Sequence, residues 1–333
     1  MRASPNRSVV CRQPVFISLI LLALFMAILL AGAGLRRARL NRSGQAAYPA
    51  EGLAINFLDV GQGAATLLSY GNEHFLIDSG DAAQFPGLWA QLAPKLQGEL
   101  KVILATHYDA DHIGGLASLL EQVRPQLLLG PDYAGDTETY QELQTAMLAL
   151  QLQLTVPDRG YRFSLGRAEV QLLVPPAYDY QDDNDCSLAA MITLDSIRIL
   201  IMGDQSSQRE AELIAEGRDL KADVLLLAHH GSAYSSSAAF LAAVRPTFAV
   251  ISCGQANDYG HPAAQTLERL AGQGVRLFRT DLQGAVYCMS DGQKLYWDKT
   301  PIELPEQAET VFSRRTLDIG GISGYNIIRG LIR

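Results

Sequence analysis

One short segment, Thr106-His107-Tyr108-Asp109-Ala110-Asp111-His112, constrains the fold of this chain more than any other. It follows an apolar run at residues 102–105 and precedes residues 113–120, whose pattern is typical of a turn that opens a helix. The two imidazoles and two carboxylates therefore lie on a strand-to-helix loop, where side chains converge above the edge of a sheet. Ligand groups packed so closely repel one another unless a cation lies between them. The alternative interpretation of the segment is a solvated acidic turn. We predict a metal site.

The composition of the 333 residues limits the functions open to the chain. With 48% hydrophobic residues, the chain can bury one large core or two modest ones. The net charge of −8 provides no overall attraction to nucleic acid, so binding a nucleic acid needs a local basic patch. The four cysteines show no CxxC spacing, and Cys253 and Cys288 lie in apolar runs where small core residues are expected.

An uncharged apolar segment at residues 14–35 follows a flank at residues 1–13. It provides enough helix to cross the ~30 Å hydrocarbon core of a bilayer, so we predict a transmembrane anchor. The alternative is a signal peptide cleaved near the small residues 31–34, although the apolar core exceeds the usual ~7–15 residues. Arginines on both sides leave the orientation open. We expect the remainder of the protein to lie outside the cytoplasm, either anchored or secreted.

The rest of the chain divides into a basic linker at residues 36–50, one large domain at residues 51–299, and a tail at residues 300–333 without a clear pattern. Within the domain, short apolar strands alternate with amphipathic helices, in two runs of strands that each finish with helices. This order predicts an α/β (α+β) fold with two packed sheets and helices outside.

Polar residues recur where the predicted strands end, and five of the six histidines lie at such positions. The exception, His74, lies within a strand and is interpreted as structural. Strand ends on one rim of a two-sheet fold can meet in space, so one shared site is expected. Beyond the opening segment, its candidate members are Asp78, Asp204, His229, His230 and His261.

The ligand chemistry favours two divalent metal ions. His107 and Asp109, two residues apart in an extended loop, can share one ion. Asp111 and His112 can hold a second ion about 3.5–4 Å away, with Asp204 bridging the two.

The histidine pair supplies a further ligand of the second ion. His229 is preferred because it comes first after its strand, and His230 then supports it or faces the substrate, but the two can exchange roles. Asp78 is expected to support catalysis by orienting the loop at residues 106–112, which we call the metal loop, through hydrogen bonds. His261 is a candidate for substrate contact or proton donation, with a structural loop as the alternative. Ser232 and Ser235 can bind phosphate oxygens near a helix start or serve only as caps.

The order of these motifs resembles the metallo-β-lactamase superfamily, whose usual loop is His-x-His-x-Asp-His. A more specific resemblance is to the hydrolase domain of the competence DNA-uptake protein ComEC and its free-standing relatives. It is carried over residues 52–292 by several motifs: residues 57–63 (FLDVGQG), 76–80 (LIDSG), 106–115, 184–188 (NDCSL), 202–204 (MGD), 229–232 (HHGS) with Ser235-Ser236, and 259–262 (YGHP). The resemblance implies an αββα sandwich and a divalent-metal hydrolase that cleaves phosphodiesters.

The departures from the family pattern concern the metals. Asp109 replaces the usual histidine, and Asn184 and Ser187 stand where many members have another histidine, although both are also candidate substrate contacts. Neither is a strong zinc ligand, so the first metal site is expected to be weaker, and additional oxygen ligands shift the preference from Zn²⁺ toward Mn²⁺ or Mg²⁺. Ala64 and Ala65 follow Gly63 where an acidic residue is usual.

The resemblance implies attack on phosphorus by a metal-bound hydroxide, with Asp111 in the catalytic set and with His261 or a metal-bound water protonating the leaving group. The expected substrate is a phosphodiester such as DNA, and the expected membrane contact is through the N-terminal helix. We expect no channel-forming membrane domain before the hydrolase, so the resemblance is not taken to imply DNA transport. The alternatives are hydrolysis of a phosphocholine ester, lactone or thioester, or a membrane-tethered binding module without catalysis. The retention of six ligands together argues against the last.

Overall fold

The structure is a computed structural model that describes residues 48–49 and 51–304. The predicted flank at residues 1–13, the anchor or signal segment at residues 14–35, and most of the linker and tail lie outside the described residues. Among those residues, none of the helices has the length and apolar character that crossing a membrane requires.

The described residues form fifteen strands, which are β1 (Leu53–Phe57), β2 (Thr66–Tyr70), β3 (Glu73–Ile77), β4 (Glu99–Leu104), β5 (Leu127–Leu129), β6 (Leu154–Thr155), β7 (Arg162–Leu165), β8 (Ala168–Leu173), β9 (Ala189–Leu194), β10 (Ile197–Ile201), β11 (Val224–Leu226), β12 (Phe248–Ile251), β13 (Arg276–Arg279), β14 (Val286–Ser290) and β15 (Leu295–Trp297). They build an eight-stranded sheet, in the order β15-β14-β1-β2-β3-β4-β5-β6, and a seven-stranded sheet, in the order β13-β12-β11-β10-β9-β8-β7.

The helices of the described region are short, and they are α1 (Phe85–Leu92), α2 (Ala110–Ile113), α3 (Leu116–Gln122), α4 (Glu138–Ala149), α5 (Ser207–Ala215), α6 (Ala238–Val244), α7 (Ala264–Ala271) and α8 (Thr280–Gln283). Three 3₁₀ turns accompany them, at Ala82–Gln84, Asp183–Cys186 and Ala228–Gly231.

Alternation along the strands divides the apolar residues into three cores. In β10, Ile199 packs between the two sheets, while its neighbour Leu200 points outward to a core that includes Phe240 of α6. A third core covers the outer face of the larger sheet with residues such as Leu88 of α1 and Leu116 of α3. Helices therefore cover both outer faces, and the predicted αββα sandwich is confirmed.

Parallel pairing brings the chemically important strand ends together. In the larger sheet β3 runs parallel to β4, and in the smaller sheet β10, β11 and β12 are parallel neighbours. Parallel strands end at the same edge of their sheet, and ligand sites form outside those carboxyl ends. The segments that leave these ends contain the candidate ligands.

Some element bounds differ by a few residues from those that the sequence pattern predicts. The pattern of residues 55–60 predicts a strand, but β1 ends at Phe57, because the Asp59 carboxylate accepts a hydrogen bond from the amide of Gly61 and closes a turn. The pattern of residues 86–96 predicts a helix, but α1 ends at Leu92. The residues around Asp195-Ser196 predict a hairpin, which the pairing of Leu194 with Ile197 confirms.

Candidate metal centre

The Asp78 carboxylate connects the ends of β3 and β4 to the metal loop. It accepts hydrogen bonds from the amide and the hydroxyl of Thr106, both at 2.8 Å, and lies 2.8 Å from Nδ1 of His112. Asp78 is only 2% exposed, so water does not compete for these bonds. The arrangement fixes the His112 ring with Nε2 directed away from Asp78, as carboxylates behind metal-binding histidines do.

Three side chains from both halves of the sandwich converge on the far side of that ring. Nε2 of His112 lies 3.2 Å from Oδ1 of Asp204 and 3.2 Å from Nε2 of His230. Nε2 of His230 in turn lies 3.1 Å from Oδ2 of Asp111 and 3.3 Å from Oδ2 of Asp204. His112, Asp204 and His230 are buried, so these groups have little access to water.

His230 is oriented by the backbone of the neighbouring strand. Its Nδ1 donates to the carbonyl of Ser252, just beyond β12, at 2.9 Å. That bond assigns the proton to Nδ1 and leaves the Nε2 lone pair available to a metal. Both ligand histidines, His112 and His230, thus have the outer hydrogen bond that metal-binding histidines usually have.

His107 provides the strongest indication of a cation. Its ring is fully buried, and Nδ1 lies 3.0 Å from the hydroxyl of Thr106. Nε2 has no hydrogen-bond partner among the described residues, and the nearest carboxylate, Oδ2 of Asp109, is 3.7 Å away. A buried ring nitrogen without a partner is costly, and a metal ion is a partner that satisfies it.

Two groups of side chains have the spacing of a metal site. They are His107 with His112 and Asp204, and Asp111 with His112 and His230, each with ligand atoms within 4.8 Å of one another. The donor set of imidazole nitrogens and carboxylate oxygens suits a divalent ion, so these residues fit the metals that the sequence implies.

The grouping differs from the expected one in two ways. His107 is grouped with His112 and Asp204, whereas Asp109 remains outside, with its side chain half exposed. His230, not the preferred His229, faces the ligands: Nε2 of His229 is 3.9 Å from Asp204, and its side chain is 28% exposed. The reason lies in the local backbone. His229 and His230 have left-handed φ values of 52° and 54°, which residues other than glycine rarely adopt. This backbone reverses the order that an extended strand end would give.

The electrostatics of the cluster require positive charge between the carboxylates. Burial disfavours protonation of His230, yet the charge of Asp204 and the hydrogen bonds to Asp111 and Asp204 outweigh it and raise the pKa of His230 to about 10. His112 behaves in the same way, and its pKa lies well above the usual value because Asp204 and Asp78 flank it. The two imidazoles hold the pKa of Asp204 well below its usual range despite burial. A divalent cation supplies the same charge and displaces those protons.

His107 differs from its neighbours. Burial, and then the charge of His112, lowers its pKa to about 3, so its ring is neutral at physiological pH and able to bind a metal. Asp109 has its pKa raised by burial, with the negative charges of Asp111 and Asp204 adding to the effect. A nearby cation favours the ionised form of such a carboxyl.

The glycine-rich motif at residues 61–63 packs against the metal loop. Gly63, with φ of 128°, approaches so closely that a Cβ atom would lie 2.3 Å from the carbonyl oxygen of Asp111. The carbonyl of Gly63 accepts a hydrogen bond from the Ser252 hydroxyl at 2.8 Å, and the side-chain oxygen of Gln62 accepts one from the Gly254 amide at 3.1 Å. The motif therefore supports the site without contributing a ligand.

The predicted substrate contacts receive mainly structural roles. Ser187, Ser232 and Ser235 are at most 2% exposed. The Ser187 hydroxyl accepts from the Asp204 amide, and the Ser235 hydroxyl donates to the Gln205 carbonyl at 2.8 Å. Burial and internal hydrogen bonds favour the alternative in which these serines hold loops in place.

Asn184 and His261 remain candidates for substrate contact. The side-chain oxygen of Asn184 is buried without a hydrogen-bond partner in the described part of the chain. The His261 ring lies 5.5 Å from that of His229 and 6.2 Å from that of His230, measured between centroids. Burial, followed by the charge of His230, lowers the pKa of His261 to about 4. A neutral His261 suits hydrogen bonding to a substrate better than protonation of a leaving group.

Two supporting groups had no recognisable signal in the sequence. Thr106 joins Asp78 to His107, although a threonine before the histidine could equally end the strand. The Ser252 carbonyl orients His230 from a position 22 residues away, and a backbone contact of this kind leaves no residue pattern.

Comparison with known proteins identifies the fold family. The Metallo-beta-lactamase superfamily matches residues 58–255, more than half of the chain. The chain belongs to the metallo-β-lactamase superfamily. Among solved structures, the metallo-beta-lactamase fold protein YhfI from Bacillus subtilis is similar in fold, with a TM-score of 0.50 at 14% sequence identity over 72% of this chain and 100% of that protein.

Curated relatives place it more narrowly within that superfamily. Competence protein ComA of Neisseria gonorrhoeae is 32% identical over 77% of this chain and 36% of its own length. ComE operon protein 3 of Bacillus subtilis is 27% identical over 70% of this chain and 32% of its own length. The chain thus spans about a third of the length of the curated relatives that it matches. The matches support a ComEC-type member of the metallo-β-lactamase superfamily.

Replacing Asp78 tests whether its hydrogen bonds support metal binding. Asp78→Asn replaces one of the two acceptor oxygens with an NH2 group that can only donate, so part of the set of bonds from Thr106 and His112 is lost. We therefore expect the affinity for Zn²⁺ or Mn²⁺ to fall about 10- to 100-fold. Competition with a chelating dye measures this affinity. Asp81→Asn is the matched control on the same loop, because the Asp81 side chain accepts only from the amide of Ala83 among the described contacts. An unchanged affinity in Asp78→Asn would contradict the role assigned to Asp78.

Proposed function

We propose that this protein is a divalent-metal-dependent phosphodiesterase that acts on DNA or a related phosphodiester. The observation that carries the proposal is the convergence of buried imidazoles and carboxylates around the unpartnered Nε2 of His107. The superfamily membership supports hydrolysis as the reaction class. The similarity to Competence protein ComA supports DNA as the substrate, because competence is the uptake of DNA.

Each part of the site has a defined task in this proposal. His107, His112, His230, Asp111 and Asp204 hold the ions, which when bound would activate water and neutralise charge on the phosphoryl oxygen. The hydrogen bond between Asp78 and His112, and that from His230 to the Ser252 carbonyl, keep the ligand rings in the required orientation. Preset orientation matters because groups that need not reorganise during the reaction stabilise its transition state best.

His261 is proposed to donate a hydrogen bond to the bound substrate. Its pKa of about 4 keeps the ring neutral above that pH, so it remains a donor without carrying charge. Asn184 is a second candidate for positioning the substrate, because its buried oxygen has no partner among the described residues.

Isosteric replacement of the Asp204 carboxylate tests the proposed chemistry. Asp204→Asn removes the charge that faces His112 and His230. We expect activity on bis(p-nitrophenyl) phosphate and on single-stranded DNA to fall by at least about 100-fold. The reason is that losing a metal ligand should cost no less than losing a residue that only hydrogen-bonds to a ligand. Initial rates are measured after loading with Mn²⁺ or Zn²⁺, and circular dichroism monitors the fold.

Asp195→Asn is the matched control, because Asp195 lies in the β9–β10 turn and pairs with Arg167. It should retain full activity. Full activity in Asp204→Asn would contradict the proposal. Wild-type cleavage of a lactone or a phosphocholine ester, without cleavage of either diester, would favour a different ester as the substrate.

Asp109 lies outside the two ligand groups, but its Oδ2 is 3.7 Å from Nε2 of His107. We propose that Asp109 joins the ligands when an ion is bound and so influences which metal is preferred. A carboxylate oxygen suits Mn²⁺, whereas an imidazole suits Zn²⁺. We therefore expect Asp109→His to raise the affinity for Zn²⁺ more than that for Mn²⁺, by about tenfold in the ratio, equivalent to about 1.4 kcal/mol. Isothermal titration with each ion gives the ratio. Asp109→Asn, which keeps an oxygen ligand without the charge, is the control, and an unchanged ratio in Asp109→His would exclude Asp109 as a ligand.

We further propose that residues 14–35 tether the protein to a membrane with the hydrolase domain outside the cytoplasm; secretion after cleavage is the alternative. The uncharged 22-residue segment supports this location. The full chain should remain in the membrane pellet after alkaline carbonate extraction, and protease added to intact spheroplasts should digest the domain. A full-length protein found only in the soluble fraction would contradict both arrangements.

A further inference from the structure

Tyr259 presents an exposed aromatic ring at the edge of the candidate metal centre. Its residue is 71% exposed, and its ring stacks on that of His261 with centroids 5.7 Å apart and planes 21° apart. One face of the ring is therefore held against a side chain of the site, and the high exposure leaves the opposite face to solvent. Such offset stacking is a favourable arrangement of aromatic rings.

The loop that carries Tyr259 is held in shape by Asn257. The Asn257 side chain donates to the carbonyls of Gly254 and His261 and accepts from the His261 amide at 3.0 Å. The amide of Gly260 donates to the Asn257 carbonyl. A tyrosine on a loop held in this way loses little conformational freedom when a flat group packs against it, which favours binding.

The loops around the centre contain no lysine or arginine. We call these loops the rim loops, and they are residues 78–84, 105–113, 174–188, 202–206, 227–237 and 252–263. Arg269 of α7 contacts one rim loop, but its guanidinium is already occupied. It donates to the carbonyls of Ala233 and Ser235 and to the Thr266 hydroxyl. Within the described residues, the rim loops therefore offer no free cation to a phosphate backbone.

This charge pattern disfavours the usual way of binding duplex DNA. Proteins that bind a duplex neutralise several phosphates with lysine and arginine, and most of the non-specific affinity comes from those contacts. The rim loops instead contain many aspartates, such as Asp182, Asp183 and Asp258, which repel a second phosphate backbone. Attraction then has to come from uncharged contacts, and stacking of bases on aromatic rings is the strongest of these for a single strand.

We propose that Tyr259 stacks on one unpaired base next to the scissile phosphate, so that the site selects a single strand of nucleic acid through a base and not through its phosphates. This inference rests on the phosphodiesterase function proposed above. It goes beyond that function in naming the substrate class and the side chain that selects it.

Two strands of equal length and charge separate recognition of bases from recognition of phosphates. The full chain, purified in detergent and loaded with Mn²⁺, is assayed on a ten-nucleotide thymidine strand and on an abasic strand of the same length. We expect the wild type to prefer the thymidine strand by about 5- to 150-fold in kcat/KM, the range that stacking of one base gives. Tyr259→Leu should lose this preference through a lower kcat/KM on the thymidine strand, because the variant has no aromatic face for a base.

Conservative and matched variants separate stacking from a structural effect. Tyr259→Phe and Tyr259→Trp should keep the preference, because each retains an aromatic face. Tyr234→Leu is the matched control, since Tyr234 is 78% exposed on a neighbouring rim loop and shows no ring contact with a site histidine among the described residues. It should behave as the wild type. Loss of activity on both strands in Tyr259→Leu would indicate a structural role and overturn the inference.

Salt dependence provides a second measurement. Each phosphate neutralised on a single strand contributes about 0.7 to the slope of log affinity against log salt concentration. Because the rim loops have no free cation, we expect the magnitude of this slope to be below about 1. The affinity is measured by fluorescence anisotropy of a labelled single strand in buffer that contains Ca²⁺. A steep slope, or equal cleavage of the two strands by the wild type, overturns the inference but leaves the phosphodiesterase function intact. Failure of the wild type to cleave either strand or bis(p-nitrophenyl) phosphate would contradict that function, and the inference would fall with it.

Discussion

The meeting of His112, Asp204 and His230 between the two sheets is the interaction on which the rest of the structure depends. Each group is buried, and each is ionised in the arrangement that its neighbours favour. Isolated, any one of these charges would be expensive to bury, but together they compensate one another. The parallel strands and the left-handed backbone at His229 and His230 bring these charges together, and the hydrogen bonds of Asp78 and Ser252 limit their movement.

Much of this could be predicted from the sequence, because its signals are local. The strand-to-helix loop at residues 106–112, the aspartates that follow β3 and β10, and the αββα arrangement all come from short patterns of apolar and polar residues. Relating those patterns to a known family also identified a ComEC-type hydrolase. The pairing of ligands was less predictable, since it depends on which side chains from distant segments share a space.

The unpredicted features have specific physical causes. Two consecutive left-handed residues exchange the expected roles of His229 and His230, and nothing in the residue types announces such a backbone. The burial of Ser187 and Ser235 results from packing between loops, so their hydroxyls bond to backbone groups that the sequence pattern does not reveal. Gly63 shows the opposite case. It lies within a motif that the sequence shows plainly, and the reason for the glycine is the close approach of the Asp111 backbone, 48 residues along the chain.

The construction of the centre from both sheets has a consequence for the lifetime of the protein. Asp78 and His112 belong to the half of the sandwich formed by β3 and β4, whereas Asp204 and His230 follow β10 and β11 of the other half. An ion bound by residues of both halves would cross-link them and stabilise the folded state in proportion to the logarithm of its free concentration. Scarcity of the metal would then do more than slow the reaction. It would let the sandwich open more often and expose the chain to proteolysis, so that the metal supply would control the amount of protein as well as its activity.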